Sequence, residues 1–176
     1  NKQDVTNMSA KLDIEYPLDW VDLSFGGKIS NSKSLNDIVF FNSGLVNNPV
    51  TELPLSQNDF EYKEDIQAVY ISANKKFNDK WSSQIGLRME ATQTDSKSNN
   101  LNLSTSNDYT KLFPTFYLSY NATENSNFSF NYSKRIQRPS FGELNPNIYF
   151  SNPFQSIEGN ALLQPAFIDN LELTKN

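Results

Sequence analysis

Carboxylate pairs are the side chains of this sequence whose types and spacing could do chemistry. Asp13 and Glu15 lie two residues apart, and on a β-strand that spacing places both carboxylates on one face. Such a pair could transfer protons or bind Ca²⁺. Paired carboxylates are more often a solvated strand face, and the same holds for Glu61 and Glu64. We therefore expect no enzymatic activity, no metal site and no cofactor.

The residue types that are missing exclude further classes of site. The chain has no cysteine and no histidine. Without cysteine there is no disulfide, no thiolate zinc site and no cysteine nucleophile. Without histidine there is no Ser-His-Asp triad and no histidine base or metal ligand. Nucleic acid is not an expected partner, because the net charge is −5 and phosphate neutralisation dominates nucleic-acid affinity.

The composition combines many aromatic residues with a low mean hydropathy. Aromatics make up 13% of the 176 residues, yet the mean hydropathy is −0.60. The polar part is largely uncharged, with 24 Asn and 21 Ser. No apolar run approaches the roughly 18 residues that a membrane helix needs. The chain starts without Met and stops inside an apolar/polar pattern, so we expect residues 1–176 to be one segment of a larger protein.

Apolar and polar residues alternate along most of the chain, which is the period of a β-strand. The alternation predicts seven strands, at 8–16, 21–30, 64–77, 81–91, 112–121, 128–135 and 167–174. Several have about ten residues, the length that a tilted strand needs to cross a bilayer. Their clean apolar faces are almost free of charge, and a charge at mid-bilayer would cost about 2–4 kcal/mol. The expected fold is all-β: an antiparallel up-and-down meander of about seven long strands, part of a transmembrane β-barrel.

The connections between the predicted strands alternate between short and long. Short turns are predicted at 16–20, 77–81 and 120–128, and long polar loops at 31–62, 92–111 and 137–166. In a meander, all short turns then lie on one edge of the sheet and all long loops on the other. Bacterial outer-membrane barrels have this asymmetry, with short periplasmic turns and long outer loops. Aromatic residues flank each short turn, which predicts an interfacial girdle there.

The stretch after the sixth predicted strand is the most distinctive. It reads Tyr-Ser-Lys-Arg-Ile-Gln-Arg-Pro-Ser over 132–140, Leu-Asn-Pro over 144–146, Glu-Gly-Asn over 158–160 and Leu-Gln-Pro over 163–165. It resembles the barrel of TonB-dependent outer-membrane receptors, most of all the Bacteroidetes "outer membrane protein beta-barrel" group. In that group S-[RK]-R-x-x-R-P is followed by L-N-P and E-G-N-x-x-L-x-P. The residues that match the family motif are Arg135, Arg138, Pro139, Leu144, Asn145, Pro146, Gly159, Asn160 and Pro165.

The resemblance implies a piece of a barrel of roughly 22 strands with a plugged lumen, in the outer membrane of a Gram-negative bacterium. In the family, outer loops and plug bind a nutrient such as a siderophore, glycan or peptide, and an inner-membrane complex drives its uptake. The implied partners are outer-membrane lipid, the rest of the barrel and its plug, and a TonB-type energy-coupling protein. The coupling protein acts through the N-terminal part of the family pattern, which this sequence does not contain.

Two groups of residues in this predicted barrel have alternative interpretations. Aromatics of the predicted outer loops could stack on a ligand or could pack the loops together; they are Phe40, Phe41, Tyr149, Phe150 and Phe154. Arg88, Arg135 and Arg138 could line the lumen, where they would pair with plug carboxylates or an anionic ligand. Equally, these arginines could form salt bridges between neighbouring strands.

Other classes of protein also fit a β-rich chain with many aromatic and Asn residues. A soluble all-β ligand- or carbohydrate-binding module would present exposed Tyr and Phe on Asn-rich loops. That alternative predicts two packed sheets around a dry core. A third possibility is an excised fragment with a fold of its own, whose open strand edges and uncovered apolar face would favour aggregation.

Overall fold

The chain is an all-β protein in the computed structural model, which describes residues 2–41, 54–123, 126–152 and 154–175. Its strands are β1 (Lys2–Leu18), β2 (Val21–Phe41), β3 (Pro54–Lys76), β4 (Trp81–Ser98), β5 (Leu103–Thr123), β6 (Ser126–Gln137), β7 (Tyr149–Asn152), β8 (Gln155–Ile157) and β9 (Ala166–Lys175). A short helix, α1 (Phe141–Leu144), lies between β6 and β7.

Seven of these strands form one antiparallel sheet in the order β1-β2-β3-β4-β5-β6-β9. Each strand pairs with the one before it in the sheet, so the predicted meander of seven strands is confirmed. β7 and β8 form a separate hairpin that is inserted between β6 and β9. The soluble alternative required two packed sheets, and the described strands do not form that arrangement.

The strands are longer than the alternation predicted. β1 to β5 have between 17 and 23 residues each. The predicted long loops at 31–62 and 92–111 are therefore wrong over much of their length, since β2–β3 and β4–β5 stay paired far into them. Polar cross-strand contacts replace apolar ones there; Asn31 Nδ2, for example, donates to Asp65 Oδ1 at 2.7 Å. Backbone pairing needs no apolar face, so the hydropathy alternation stops before the strands do.

One face of the sheet, the outer face, carries a band of exposed apolar side chains. Directly paired residues of neighbouring strands lie on the same face. One such row runs across five strands through Ile14, Phe25, Ile71, Leu87 and Pro114. The large side chains of the band are uncovered, as the exposed fraction of 59% for Ile85 shows. We call this region the apolar band.

The sheet has too little interior to be stable on its own in water. The chain exposes 12611 Å² of surface, whereas a compact protein of this mass exposes about 8,700 Å². The apolar side chains that are buried among the described residues are few; they are Val21, Phe60, Ala68, Phe113, Leu144 and Ala161. The apolar band therefore requires a cover that lies outside the sheet, and lipid hydrocarbon provides one.

The apolar band ends at one row of the sheet. Beyond Ile29 of β2, the next residues on the outer face are polar or charged; the first row is Asn31, Asp65, Gln93 and Asp108. We call the part of the sheet from this row towards the long connections the polar extension. It comprises residues 31–41 of β2, 54–66 of β3, 92–98 of β4 and 103–111 of β5. The sheet thus has two tiers, one suited to lipid and one to water.

The opposite edge of the sheet carries the short turns. The β1–β2 and β3–β4 connections consist of residues 19–20 and 77–80. The β3–β4 turn is closed by a hydrogen bond from the Phe77 amide to the Trp81 carbonyl at 2.9 Å. The turn between β5 and β6 includes residues 124–125, which lie outside the described part of the chain.

Aromatic side chains line this turn edge. The rings of Trp81 and Tyr120 stack with centroids 4.4 Å apart, and Tyr120 stacks in turn on Phe128 at 6.4 Å. Lys75 Nζ lies 4.9 Å from the Trp20 ring. Tyr and Trp suit the membrane–water boundary, because each has a large apolar ring and one group that can hydrogen-bond with water. This row of aromatic side chains at the turn edge has the arrangement that the predicted interfacial girdle requires.

Candidate functional site

Residues 138–165, which we call the strap, fold back over the inner face of the polar extension. The ring of Phe141 in the strap lies 5.3 Å from the ring of Phe60 in β3. Leu144 and Ala161 are buried, with exposed fractions of 4% and 6%. In its described part, the third predicted loop is therefore a folded element that packs on the sheet.

A capping box stabilises α1, which lies near the start of the strap. The amide of Ser140 donates to Glu143 Oε2 at 2.7 Å, while the Glu143 amide donates to Ser140 Oγ at 3.4 Å. These reciprocal bonds satisfy donors that a helix start leaves free. The Ser140 backbone amide lowers the pKa of the Glu143 carboxyl, because it bonds the ionised form. Ser140 and Glu143 therefore fix the direction in which the chain leaves β6.

The two halves of the strap are hydrogen-bonded to each other. The Gly159 amide donates to the Asn145 carbonyl at 2.9 Å, and the Asn160 amide donates to the Glu143 carbonyl at 2.7 Å. The side chain of Asn145 is also occupied, since its Oδ1 accepts from the Asn147 amide at 3.1 Å. The returning half of the strap is thereby held against α1.

Arg138, at the start of the strap, enters a cluster of charges on the inner face. Its Nη2 donates to Glu90 Oε1, and the same nitrogen lies 3.2 Å from Thr92 Oγ1. Its Nε lies 3.0 Å from Glu64 Oε1, an ion pair without hydrogen-bond alignment. Arg88 Nη2 donates to the other oxygen of Glu90 at 2.5 Å. We call Arg88, Arg138, Glu64 and Glu90 the ion cluster, and its formal charges sum to zero.

The carboxylates of the ion cluster are largely shielded from water. The side chain of Glu90 is 3% exposed and that of Glu64 is 17% exposed. Burial raises the pKa of Glu64, and the Arg138 guanidinium only partly opposes that effect. Burial likewise raises the pKa of Tyr62 and Tyr109, whose phenols lie on the same face. Glu90 is the carboxylate that two guanidinium groups contact, those of Arg88 and Arg138.

The sequence that forms this sheet and strap also matches a known protein family. Among the described residues, no helix is long and apolar enough to cross a membrane. The family model of the outer membrane protein beta-barrel family matches residues 1–176. The chain belongs to this family. It is therefore an outer-membrane barrel protein, and the apolar band is its lipid-facing surface. A search of curated proteins gives no significant match.

The motif residues of this outer-membrane barrel belong mostly to the strap and its anchor. Asn145 and Pro146 are buried beside α1, and Gly159 and Asn160 make the bonds between the strap halves. Arg138, Pro139, Leu144 and Pro165 line one small cavity of about 20 Å³ between strap and sheet. Arg135 lies apart from them, exposed on β6 and opposite Ile168 of β9. The structure therefore brings the motif together as a folding element, except for Arg135.

The carboxylate pairs do not form a shared site. Asp13 accepts a hydrogen bond from the Tyr70 hydroxyl at 2.5 Å and pairs with Lys11 at 2.8 Å. Glu61 pairs with Lys63 on the outer face at 2.6 Å, whereas Glu64 faces the ion cluster. Three residues apart on a strand, these two glutamates lie on opposite faces. Within the described ranges, no group of three His, Cys, Asp or Glu residues could hold a metal ion.

The aromatic ligand-binding candidates are separated along the chain. Phe40 and Phe41 were predicted in a loop, but they lie in β2, so that prediction is wrong. Tyr149 and Phe150 lie in β7, and the side chains of all four are outside the described part. Phe154 follows β7 and is 99% exposed. Ligand binding by these residues stays a prediction.

Arg88 and Arg138 form salt bridges, but not between neighbouring strands as predicted. Arg88 pairs with Glu90 of its own strand, and Arg138 reaches Glu90 and Glu64 from the strap. The sequence did not single out their shared partner, Glu90. A signal for it was present. Arg88 and Glu90 are two residues apart on the polar face of β4, where opposite charges can meet. The contacts of Arg138 could not be predicted in this way, because Arg138 lies outside the sheet, at the start of the strap.

Glu90→Gln is expected to destabilise the barrel more than Glu64→Gln. Glutamine at position 90 keeps one acceptor oxygen but removes the charge that two guanidinium groups share, at a cost of about 1–2 kcal/mol. Glu64→Gln is expected to cost less, because Glu64 meets a single guanidinium group without hydrogen-bond alignment and burial raises its pKa. The measurement is the temperature at which the folded band is lost on SDS gels. Equal losses in both variants would contradict this ranking.

The raised pKa of Glu64 also predicts a pH dependence. The quantity that changes with pH is the difference in stability between the wild-type protein and the Glu64→Gln variant. A carboxyl whose pKa is higher in the folded state binds its proton more tightly there than in the unfolded chain. Its contribution to stability is complete below the ordinary value of 4.5 and is lost as pH rises through the raised pKa. The wild-type protein should therefore gain stability over Glu64→Gln on acidification across that window. Loss of stability relative to Glu64→Gln over the same window would contradict this assignment.

Proposed function

We propose that this barrel segment belongs to a TonB-dependent receptor of the Bacteroidetes type, which takes up a nutrient ligand across the outer membrane. The observation that carries the proposal is the motif from Arg135 to Pro165, whose residues build an ordered strap on the lumen side of the sheet. An ordered element on the lumen wall is consistent with a receptor that must control the passage of its cargo. The candidate cargoes are siderophores, glycans and peptides.

The open sheet supports a larger assembly in this proposal. Among the described strands, β1 and β9 each have one neighbour in the sheet. An unpaired edge inside a bilayer would leave backbone groups without hydrogen-bond partners. We propose that the seven strands are an arc of a barrel of roughly 22 strands. Its further strands and a plug would then complete the wall and the lumen.

The proposed partners follow from the two faces of the sheet. Lipid covers the apolar band, and the remaining strands pair with β1 and β9. The inner face carries charged side chains such as Lys11, Asp13 and Lys28, which suits a wet lumen and a polar plug. A TonB-type coupling protein would supply energy through a segment outside this chain. We propose no enzymatic role.

Energy-dependent uptake by the complete protein, in its native bacterium, tests this proposal. A strain that lacks the gene is grown with siderophore-bound iron, a glycan or a peptide as the only source of that nutrient. We expect growth to fail on one of these and to return with the gene. Growth on that nutrient should also fail when the TonB-type coupling protein is removed. Growth that does not depend on the coupling protein would overturn the proposal while leaving the barrel fold untouched.

A further inference from the structure

The strap is attached to the sheet through one apolar contact and several polar ones. The surface beneath it includes polar side chains of the polar extension, among them Thr94, Ser96, Thr105 and Asn107. The apolar contact joins Phe141 to the buried Phe60, so opening the strap exposes some apolar area to water. Hydrogen bonds and the ion cluster provide the rest of the attachment.

The attachments are at separate points along the strap. Arg138 binds the ion cluster at its beginning, Asn147 accepts from Asn100 Nδ2 at 2.7 Å in its middle, and Gln164 Nε2 donates to Asn107 at 3.3 Å near its end. The strap halves are bonded to each other at Gly159 and elsewhere, independently of the sheet. An element that is braced internally and fixed to the sheet at a few points can separate from it without unfolding.

Arg138 is the strongest of these points and lies at a hinge. It is the first residue after β6, and Pro139 follows it, so the direction of the chain changes there. Two carboxylates from two strands hold its guanidinium. A buried ion pair contributes little net stability, yet removing one partner leaves a charge without compensation. Such a contact acts as a latch, because it holds firmly when complete and fails when one member is lost.

We infer that the strap is a lumen gate, which is closed in this structure and released as one body when Arg138 leaves Glu64 and Glu90. Release would uncover the inner face of the polar extension and widen the path through the barrel at the side of the long connections. This inference does not rest on the uptake proposal. It concerns a movement of the strap, and it can hold in any barrel that contains these residues.

Labelling of a single thiol measures release directly. The chain has no cysteine, so Ala161→Cys in a cysteine-free form of the complete protein places one reporter under the strap. Intact cells are treated with a maleimide that does not cross membranes. We expect labelling to be about tenfold faster with Arg138→Ala, since losing the latch raises the population of the open strap. Leu162→Cys, already exposed, should label rapidly in either background.

Arg135→Ala is the matched control, because it removes the other motif arginine, which lies outside the ion cluster. Labelling at position 161 should stay at the wild-type rate in this variant. Equal rates with Arg138→Ala and Arg135→Ala would overturn the inference. If Arg138→Ala fails to fold on SDS gels, Arg138→Lys replaces it; this variant keeps the charge but loses the planar fork, and an increase of a few-fold is expected.

A crosslink separates release as one body from local unfolding. Asn100→Cys and Asn147→Cys bring two thiols to positions whose amides are hydrogen-bonded, and a short bifunctional reagent joins them before the reporter is tested. Molecules whose reporter thiol has also reacted with the reagent have no free thiol left and do not label, so the maleimide reports only on position 161 in the remaining molecules. We expect the crosslink to return the Arg138→Ala variant to slow labelling. Fast labelling despite the crosslink would mean that the strap frays piecemeal, and the inference would be wrong.

Discussion

Ile85→Arg is expected to destabilise the membrane-inserted barrel by about 2–4 kcal/mol, and its level in the outer membrane should fall sharply. Ile85 lies in the apolar band, with Ala73 and Phe116 as cross-strand neighbours. It is 59% exposed, so arginine would fit without a steric clash. In water such a substitution would be almost neutral. The predicted cost comes from placing a guanidinium in hydrocarbon.

Gln84→Arg is the matched control for this experiment. Gln84 is the preceding residue of β4, so its side chain points to the inner face, where water solvates an added charge. We expect this variant to reach wild-type levels in the outer membrane. The measurements are the folded fraction on unboiled SDS gels and the unfolding free energy in lipid vesicles. Equal effects of the two arginines would contradict the assignment of the outer face to lipid.

The sequence predicted the tier that contacts lipid more accurately than the tier that contacts water. In the apolar band, the environment changes from lipid to lumen at every residue, so the period of two is visible in residue type. Leu112, Phe116 and Leu118 were assigned to one face in this way, and the register confirms it. In the polar extension the outer face is wet and much of the inner face lies under the strap, among polar side chains such as Thr92, Ser96 and Ser98. Strands and loops therefore have similar composition there. The polar residues at 31–62 and 92–111 predicted loops, but many of them lie in paired strands.

The position of the strap along the chain could be predicted from the sequence, but its folded structure could not. The family resemblance marked its limits through the motif residues from Arg135 to Pro165. Its contacts are specific hydrogen bonds between distant residues, such as Gln164 with Asn107, which no periodicity encodes. The partners of Arg138 depend on which residues the register of β3 and β4 brings together. The sequence alone does not specify that register.

Gly159→Ala is expected to disrupt the strap by about 2–4 kcal/mol while the sheet stays intact. A Cβ atom at this position would lie 2.5, 2.6 and 2.7 Å from the carbonyl oxygens of Asn145, Glu143 and Gly142. Real Cβ atoms do not approach backbone oxygens so closely, so the strap halves must separate. Two of these oxygens accept the hydrogen bonds from the amides of Gly159 and Asn160. One methyl group therefore removes the internal brace.

Gly142→Ala provides the control in the same strap, because a Cβ atom there would meet no other atom within 4 Å. It should be neutral or slightly stabilising, since alanine favours a helix over glycine by about 1 kcal/mol. The readout is maleimide labelling of Ala161→Cys. Gly159→Ala should accelerate labelling even when the strap is crosslinked between positions 100 and 147, because the strap itself is then loosened. Arg138→Ala should not, because there the strap stays braced and only its latch is lost. If the crosslink slowed labelling equally in both variants, the bonds at Gly159 would not be the brace, and the strap would owe its rigidity to its contacts with the sheet.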